Sequence, residues 1–308
     1  MRRIDYLITD VRLQTENEDF SDTVGISDTE FLRFINEGQD RLQARIAQQH
    51  NSIFLSESTY NIVGSQESYT LPSDIFLGNR VTQVDYSPSS DTTKYMPLAP
   101  ATLRTRNSGT GTPASYIRQS GTILVNPVSS SSTGLLRVTY HKKLAKLDIR
   151  RGSILTFTDS GTQVTALSLD VTTDSVDTTA TDKDNFLCIV GRDGTIKMKN
   201  IEYDSISGTT GVVTLTASHT YETGETLAIG DYIVVGKDTT THSELPDHVE
   251  RYLIAYASWK ILKRDSSVDY TEQESELSNM EQEIVETYAD ISDDIYQIPE
   301  VNDDEAWL

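Results

Sequence analysis

The sequence has no long apolar run. No stretch approaches the roughly 18 to 20 uninterrupted apolar residues that a membrane-spanning helix needs. The first residues include the charged pair Arg2 and Arg3, but they lack the apolar run and the small-residue cleavage site of a secretory signal. We therefore expect a protein that is made and used without crossing a membrane.

Cysteine is nearly absent. Cys188 is the single cysteine among 308 residues, which excludes an intrachain disulfide. It lies between Leu187 and Ile189 in an apolar run, and a thiol in that setting is typical of core packing. A reducing compartment fits this usage, although a large domain outside cells could also do without disulfides.

Positive charge is scarce and unevenly placed. The chain has 26 Lys and Arg against 47 Asp and Glu, which gives a net charge of −21. After Arg264 there is no Lys or Arg, whereas acidic residues recur from Asp265 to Glu305. A surface of this charge repels nucleic acid within a Debye length of about 8 Å at physiological salt and gives no electrostatic footprint for tight DNA binding.

Motifs for catalysis, cofactors and metals are also lacking. There is no Gly-x-Ser-x-Gly elbow and no phosphate-binding loop with its Lys. The histidines His242 and His248 share a segment with Glu244 and Asp247, but Pro246 interrupts it and the spacing is not that of a zinc site. The carboxylates between residues 170 and 184 lack the EF-hand pattern. We predict no enzyme activity, no cofactor and no metal.

Helical periodicity occurs near both ends of the chain. Ser27 and Glu30 form a capping box at the start of a long amphipathic helix that ends near residues 49–51. The preceding segment from Leu13 to Gly25 is interpreted as an extended arm or loop. A second helix over Val249–Leu262 is apolar on nearly every face and should be buried. A third follows a turn, with an apolar seam at Leu277, Met280, Ile284, Tyr288 and Ile291 among acidic residues.

Between these ends the period changes to 2, which is typical of β-strands. Predicted strands are Thr59–Val63, Arg80–Tyr86, Thr122–Val125, Leu135–Tyr140, Ile196–Ile201, Val212–Thr216, Thr226–Ile229 and Tyr232–Val235. Short strands separated by Pro and Gly turns favour an antiparallel sandwich or barrel over a parallel sheet.

The predicted fold class is α+β, with a helical layer from the N- and C-terminal segments, an antiparallel β-sandwich or barrel core, and an inserted second β-rich module. The helices are distant in sequence, yet each has an apolar face that needs a partner, so we expect them to pack together. The predicted division is residues 1–55 and 243–298 for the helical layer, 56–148 for the β core, 149–242 for the inserted module and 299–308 for a flexible acidic tail.

Several short motifs occur one after another along the chain. They are Asn36 to Leu42 in the first long helix, Tyr69-Thr70-Leu71-Pro72-Ser73-Asp74, Pro113-Ala114-Ser115-Tyr116 with Gly121 to Pro127, the strand Leu136 to Tyr140, Glu244 to Asp247, Ile254 to Ala257 and Lys263-Arg264-Asp265. Together they resemble the head-to-tail connector family of short-tailed phages, also called adaptor or tail-tubular-protein-A-like. The likeness covers about residues 27–145 and 243–290. Residues 149–240 have no counterpart in the shortest members.

That resemblance implies a structural virion protein of the neck or tail, assembled in the host cytoplasm. Family members form a dodecameric ring between the portal protein and the tail nozzle, or tail tubular protein, and double-stranded DNA passes through the lumen without specific binding. Whether the inserted module contacts tail fibres, the capsid or neighbouring subunits is left open.

Two sets of residues are candidates for these contacts. The acidic residues Glu272, Glu276, Glu283 and Glu286 are predicted to line the channel or to face solvent. Trp307 and Leu308 are predicted to anchor the tail in the portal or in a neighbouring subunit. An alternative function is a carbohydrate-binding or tail-fibre-associated module, with aromatic candidates at Phe157, Phe186, Tyr203, Tyr221 and Tyr232.

Overall fold

The computed structural model describes residues 2–15, 26–50, 53–78, 80–89, 91–106, 109–161, 163–170, 185–263 and 271–293. It has the predicted mixed α+β fold. The α-helices of this described part are α1 (Ile4–Gln14), α2 (Asp28–Gln49), α3 (Asp247–Leu262) and α4 (Thr271–Asp293). The chain forms two compact units, one of Met1–Leu42 with Ala145–Ile284 and the other of Gln43–Leu144 with Val285–Leu308. The four-part division predicted from the sequence stays a prediction.

The second unit contains a β-sandwich. One sheet has the strand order β1-β10-β3-β4, the other has the order β2-β8-β7-β5, and β6 pairs with β9. The strands are β1 (Leu55–Asn61), β2 (Ser68–Thr70), β3 (Val81–Ser87), β4 (Met96–Pro97), β5 (Ala99–Pro100), β6 (Thr110–Gly111), β7 (Ser115–Gln119), β8 (Thr122–Asn126), β9 (Val128–Ser129) and β10 (Leu135–His141). Buried residues of both sheets, such as Val84, Leu136, Tyr69 and Ile123, form one core, because each sheet turns one face inward.

Two residues of the Tyr-x-Leu-Pro-x-Asp motif, Tyr69 and Asp74, stabilise this sandwich. The Tyr69 ring is buried in the core, and the Tyr140 hydroxyl donates a hydrogen bond to Asp74 Oδ1 at 2.9 Å. Burial, together with the neighbouring Asp74 carboxylate, raises the pKa of Tyr140 to about 12. The backbone N–H of Lys143 also donates to the carbonyl of Asp74 at 2.6 Å. The turn is thereby fixed to the end of β10.

The first unit contains a closed barrel. Its strands are β12 (Gly152–Asp159), β13 (Gln163–Leu169), β14 (Phe186–Val190), β15 (Ile196–Ile206), β16 (Val212–Leu215) and β18 (Tyr232–Val235). They pair in the order β12-β18-β14-β15-β16-β13, and β13 pairs back with β12. Closure leaves no unpaired edges in the ring of strands, and the interior is filled by residues such as Ile154, Leu187 and Met198.

Within the described residues, three further strands extend this unit. The short strand β17 (His219–Thr220) adds to β13, and β11 (Lys146–Leu147) pairs in parallel with β19 (Thr239–Thr240). The strand predicted over Thr226–Ile229 is wrong, because those residues form a loop. Leu227 of that loop packs in the barrel core, whereas Ile229 is 67% exposed. The apolar residues of this run therefore lie in different environments.

The helices of the first unit pack together as the sequence predicts. Helix α1 was not predicted, although Ile4, Leu7, Ile8 and Val11 have helical spacing and are all buried against the unit. The helix includes Leu13 and Gln14, so the extended arm predicted from Leu13 is wrong at its start; residues 16–25 lie outside the described residues. An 11-residue helix is marginal alone, and its packing on α3 stabilises it.

Helix α3 is buried on nearly all sides, as its apolar composition predicts, and Tyr252 and Leu253 are completely inaccessible. Helix α2 approaches it at Gly38, where an added Cβ atom would lie 2.9 Å from the ring of Tyr256. Only glycine permits this approach without a shift of one helix.

Amide side chains of α2 attach the helix to β11. Asn36 accepts a hydrogen bond from the N–H of Leu147 at 2.8 Å and donates one to its carbonyl at 2.9 Å. Gln39 donates to the carbonyl of Ala145 at 2.8 Å. These bonds satisfy strand groups that would otherwise be buried without partners. They explain why polar residues occupy the inner face of α2.

Candidate interaction surfaces

Helix α4 has an exposed acidic face. Glu272, Glu276, Glu283 and Glu286 are all exposed, and their spacing of four, seven and three residues puts them on one side of the helix. The opposite side buries Leu277 and Ile284, each 5% exposed. The structure therefore brings the four glutamates together on one helix face. Their role in lining a channel stays a prediction.

One member of this face has a basic neighbour on α3. Arg251 Nη2 lies 3.2 Å from Glu283 Oε2, but the two side chains are 60% and 66% exposed. An ion pair this exposed contributes little stability. The carboxylate face is therefore open to solvent or to a partner.

Ion pairs nearer the interior join the helices of the first unit. Arg41 of α2 donates to Glu281 of α4 with an Nη2–Oε2 distance of 2.8 Å, and this hydrogen bond raises the pKa of Arg41. Lys260 of α3 lies 3.1 Å from Glu37 of α2, which raises the pKa of Lys260. In each pair the carboxylate favours the charged form of its basic partner.

A second surface feature is a pocket of about 490 Å³ around Tyr232, lined by Arg2, Arg3, Tyr6, Arg192, Tyr232 and His242. We call it the Tyr232 pocket. It forms because the N-terminal residues run beside the segment after β19. The N–H of Ile4 donates to the carbonyl of Thr241 at 2.8 Å, and the N–H of Ser243 donates to that of Arg2 at 3.2 Å.

The rings and guanidinium groups of the Tyr232 pocket are stacked. The His242 ring lies nearly parallel to the Tyr232 ring at an angle of 16°, with centroids 6.4 Å apart. The Arg3 guanidinium lies 5.3 Å from the Tyr6 ring centre and 5.8 Å from that of Tyr232. Arg150 lies 5.3 Å from the Tyr232 ring centre. These distances are within the range of cation–π attraction.

The electrostatics of the pocket keep it basic. Burial lowers the pKa of Arg3, but the Asp5 carboxylate and the hydrogen bond to Tyr232 outweigh it, and the pKa ends above the ordinary value. Burial, followed by the charge of Arg3, lowers the pKa of His242. His242 is therefore neutral at neutral pH, and the positive charge of the pocket comes from arginine.

Glycines allow the turns beside the pocket to approach it. Gly194 has a φ of +94°, and a Cβ atom there would lie 2.9 Å from His242 Cγ. At Gly230, with a φ of +87°, the guanidinium of Arg192 packs across the backbone and donates to the Gly230 carbonyl at 3.2 Å. A side chain at either glycine would be strained and would displace a residue of the pocket.

The aromatic candidates for carbohydrate binding all have protein partners. Tyr203 is 2% exposed and lies in the barrel core, so it cannot offer a platform. Lys237 covers the ring of Phe186 at 4.0 Å, Tyr221 donates to Asp159 at 2.5 Å, and Phe157 packs against the barrel core. Desolvation and the Asp159 carboxylate raise the pKa of Tyr221. These contacts disfavour the carbohydrate alternative.

The remaining predictions concern the single cysteine, metal binding, membrane-spanning helices and the last two residues. Cys188 is fully buried beside Val190 and Val234, which confirms its packing role. In the part of the chain that the structure describes, no group of three or more His, Cys, Asp or Glu could hold a metal ion. No helix of the same part is long and apolar enough to cross a membrane. Trp307 and Leu308 lie outside the described residues.

The sequence profile of the SU10 adaptor protein family matches residues 4–191, which is more than half of the chain. The chain belongs to the SU10 adaptor protein family. Membership makes it an adaptor-type structural protein of a phage virion. The match begins at α1, continues through α2 and the sandwich, and ends in the barrel at the turn after β14. Among curated proteins, none matches the chain significantly.

Local sequence patterns did not predict the Tyr232 pocket. Its residues come from three parts of the chain, near positions 2–6, 192 and 232–242, and only folding brings them together. A weak signal is the charge pair of Arg2 and Arg3 at the start of an otherwise acidic protein.

Proposed function

We propose that this SU10 adaptor protein is the head-to-tail connector subunit of a short-tailed phage. In this proposal about 12 copies form a ring that joins the portal to the tail nozzle, and double-stranded DNA leaves through its lumen. The number of copies and the neighbours follow from the resemblance of the motifs. The protein acts by assembly and needs neither a cofactor nor a catalytic centre.

The observation that carries the proposal is the family match combined with the acidic face of α4. A DNA conduit must not retain DNA, and a wall of carboxylates repels phosphates at distances up to about 8 Å at physiological salt. Glu272, Glu276, Glu283 and Glu286 supply such a wall on one helix face. In the proposed ring these residues face the lumen.

The predicted division of labour belongs to this proposal. Residues 1–55 and 243–298 build the helical layer of the ring, 56–148 form the β core, and the 149–242 module projects toward a further virion partner. Trp307 and Leu308 in the acidic segment 299–308 act as an anchor in a neighbouring protein. Closed rings require two different surfaces of each subunit to meet, so an anchor and its receiving site suit this geometry.

Charge reversal tests the channel role. We expect Glu272→Lys with Glu276→Lys to slow DNA ejection from otherwise intact particles, because lysines would hold phosphates as they pass. The matched control reverses Glu202 and Asp204, two exposed acids of β15, with the same change in charge. The full reversal of all four α4 glutamates should enlarge the effect.

Particle assembly and ejection rate are measured for each variant. Unchanged ejection in the fourfold α4 variant, or equal slowing in the β15 control, would contradict the lumen position. Images of virion necks test the ring itself: a neck without a ring of this protein would refute the connector proposal. Deletion of residues 299–308 without loss of head-to-tail joining would remove the anchor role.

A further inference from the structure

The Tyr232 pocket has guanidinium groups that are not neutralised within the protein. Arg2 pairs with Asp10 and Arg3 with Asp5, both at 2.6 Å. In the described part of the chain, Arg192 forms no salt bridge; its Nε donates to the carbonyl of Gly230 instead. Arg192 is exposed, so its remaining N–H groups are available to a ligand.

Arg150 adds a second such guanidinium. It lies over the Tyr232 ring at 5.3 Å and, within the same described residues, makes no salt bridge either. Within the described residues, neither of these two guanidinium groups beside the pocket is paired with a carboxylate, so both can bind an anionic group. They point to an anionic partner.

The chemistry of the pocket favours an acidic peptide that also carries an aromatic residue. Guanidinium groups bind carboxylates with two parallel hydrogen bonds. The Tyr6 side chain is 57% exposed and offers a ring for stacking beside the arginines of the pocket. The volume of about 490 Å³ can accept an indole.

Nucleic acid fits the pocket less well. A phosphate backbone is bound by a row of cations that follows the strand. The arginines of the Tyr232 pocket instead line one shallow depression, and the net charge of −21 on the chain repels a polyanion of that length. A short peptide with a few carboxylates meets much less repulsion.

One segment of this chain has the required composition. Residues 299–308 read Pro-Glu-Val-Asn-Asp-Asp-Glu-Ala-Trp-Leu, with four carboxylates, one indole and no positive charge. The chain has two tryptophans, and the other, Trp259, is 7% exposed within α3. Trp307 is thus the indole that remains for binding a partner.

We propose that the Tyr232 pocket binds the 299–308 segment of a second copy of the chain. Trp307 packs against the exposed ring of Tyr6, and the neighbouring carboxylates pair with Arg192 and Arg150. The pocket and the segment are different surfaces, which is what a head-to-tail contact between identical subunits requires. This inference rests on the anchor role proposed for Trp307, and its failure would leave the connector ring standing.

Photo-crosslinking between two isotopic forms of the full chain tests the contact. One form is light and carries Trp307→p-benzoylphenylalanine, which keeps an aromatic ring at that position. The other is uniformly heavy and otherwise unchanged. After mixing and irradiation, we expect light residue 307 to be joined to heavy peptides that contain Tyr6 or Tyr232. Crosslinks confined to light–light pairs, or spread over the surface, would overturn the proposal.

A pocket variant and a matched control sharpen the test. Tyr6→Ala with Arg192→Ala in the heavy chain should lower the crosslink yield about tenfold, which corresponds to roughly 1.4 kcal/mol. Both residues are exposed, so the fold should tolerate the change. The control, Leu103→Ala with Arg104→Ala, removes an exposed apolar residue and an exposed arginine elsewhere and should leave the yield unchanged. Equal yields in the two variants would overturn the proposal.

Competition identifies the ligand class. The free 299–308 peptide should displace the crosslink, and the same peptide with its four carboxylates changed to amides should do so about tenfold less well. Added salt should weaken both the crosslink and the competition by the acidic peptide. A short DNA duplex that displaces the segment at lower concentration than the peptide would assign the pocket to nucleic acid and overturn the proposal.

Discussion

The ion pair between Arg41 and Glu281 joins α2 to α4, and its contribution to stability can be measured. The Glu281 side chain is 5% exposed, whereas that of Arg41 is 44% exposed. Two N–H groups of Arg41 donate to the Glu281 carboxylate, with an Nη2–Oε2 distance of 2.8 Å and an Nε–Oε1 distance of 3.4 Å. Replacing Arg41 with Ala removes the guanidinium and leaves the carboxylate in a site that water reaches poorly.

The expected cost follows from burial and distance. Two unit charges 4 Å apart attract by about 4 kcal/mol at an effective dielectric constant of 20. Desolvation of the carboxylate offsets part of this, and solvent around the half-exposed Arg41 screens more. We expect Arg41→Ala to lower the free energy of unfolding by about 2 kcal/mol.

Urea unfolding followed by far-ultraviolet circular dichroism measures this cost. The control is Arg33→Ala, because Arg33 and Glu37 are 3.9 Å apart and both exposed, so the loss should stay below about 0.5 kcal/mol. The double variant Arg41→Met with Glu281→Leu should recover most of the stability, since it removes both members of the ion pair together. A loss for Arg41→Ala no larger than that of the control would refute the reasoning.

Three further predictions concern stability. Leu136→Ala in the sandwich core should cost about 3 kcal/mol in chemical unfolding, whereas Leu103→Ala at an exposed site should cost less than about 0.5 kcal/mol; similar losses would contradict the assigned core. Gly38→Leu should destabilise by about 2 kcal/mol, because its side chain would enter the Tyr256 ring, and a gain in melting temperature would argue against the α2–α3 approach. The pKa of His242 is lower in the folded chain than in the unfolded chain, so as pH falls the unfolded chain protonates this ring first. The neutral ring therefore contributes its full stability above the ordinary pKa of 6.5, and that contribution is lost as pH falls through the folded pKa. His242→Asn should therefore flatten the decline of unfolding free energy as pH falls below 6.5, and an unchanged slope would count against the buried neutral ring.

Much of the secondary structure could be predicted from local patterns. The limits of α2 follow from the capping residues and the apolar spacing, and α3 is apolar on nearly every face because it is buried on nearly all sides. The strand over Tyr232–Val235 was predicted with its observed bounds. Such elements are encoded locally because their periodicity records which face is buried.

The errors occurred where an element depends on distant partners. Helix α1 is short and was missed, since its stability comes from packing on α3, more than 230 residues away in sequence. The loop over Thr226–Ile229 resembles a strand in composition, but the ring of barrel strands closes without it. Composition alone does not show whether an apolar residue faces a sheet neighbour or fills a core from a loop.

The sequence by itself determined the charge, the single buried thiol, the α+β class and the family. It also placed four glutamates on one face of α4, because spacing along a helix fixes direction. Only the tertiary structure decided that the β-rich segment closes into a six-stranded barrel and that Arg2, Arg3, Arg192, Tyr232 and His242 line one pocket. The physical reason is that strand pairing and pocket formation are contacts between residues far apart in the chain, whose geometry no local periodicity records.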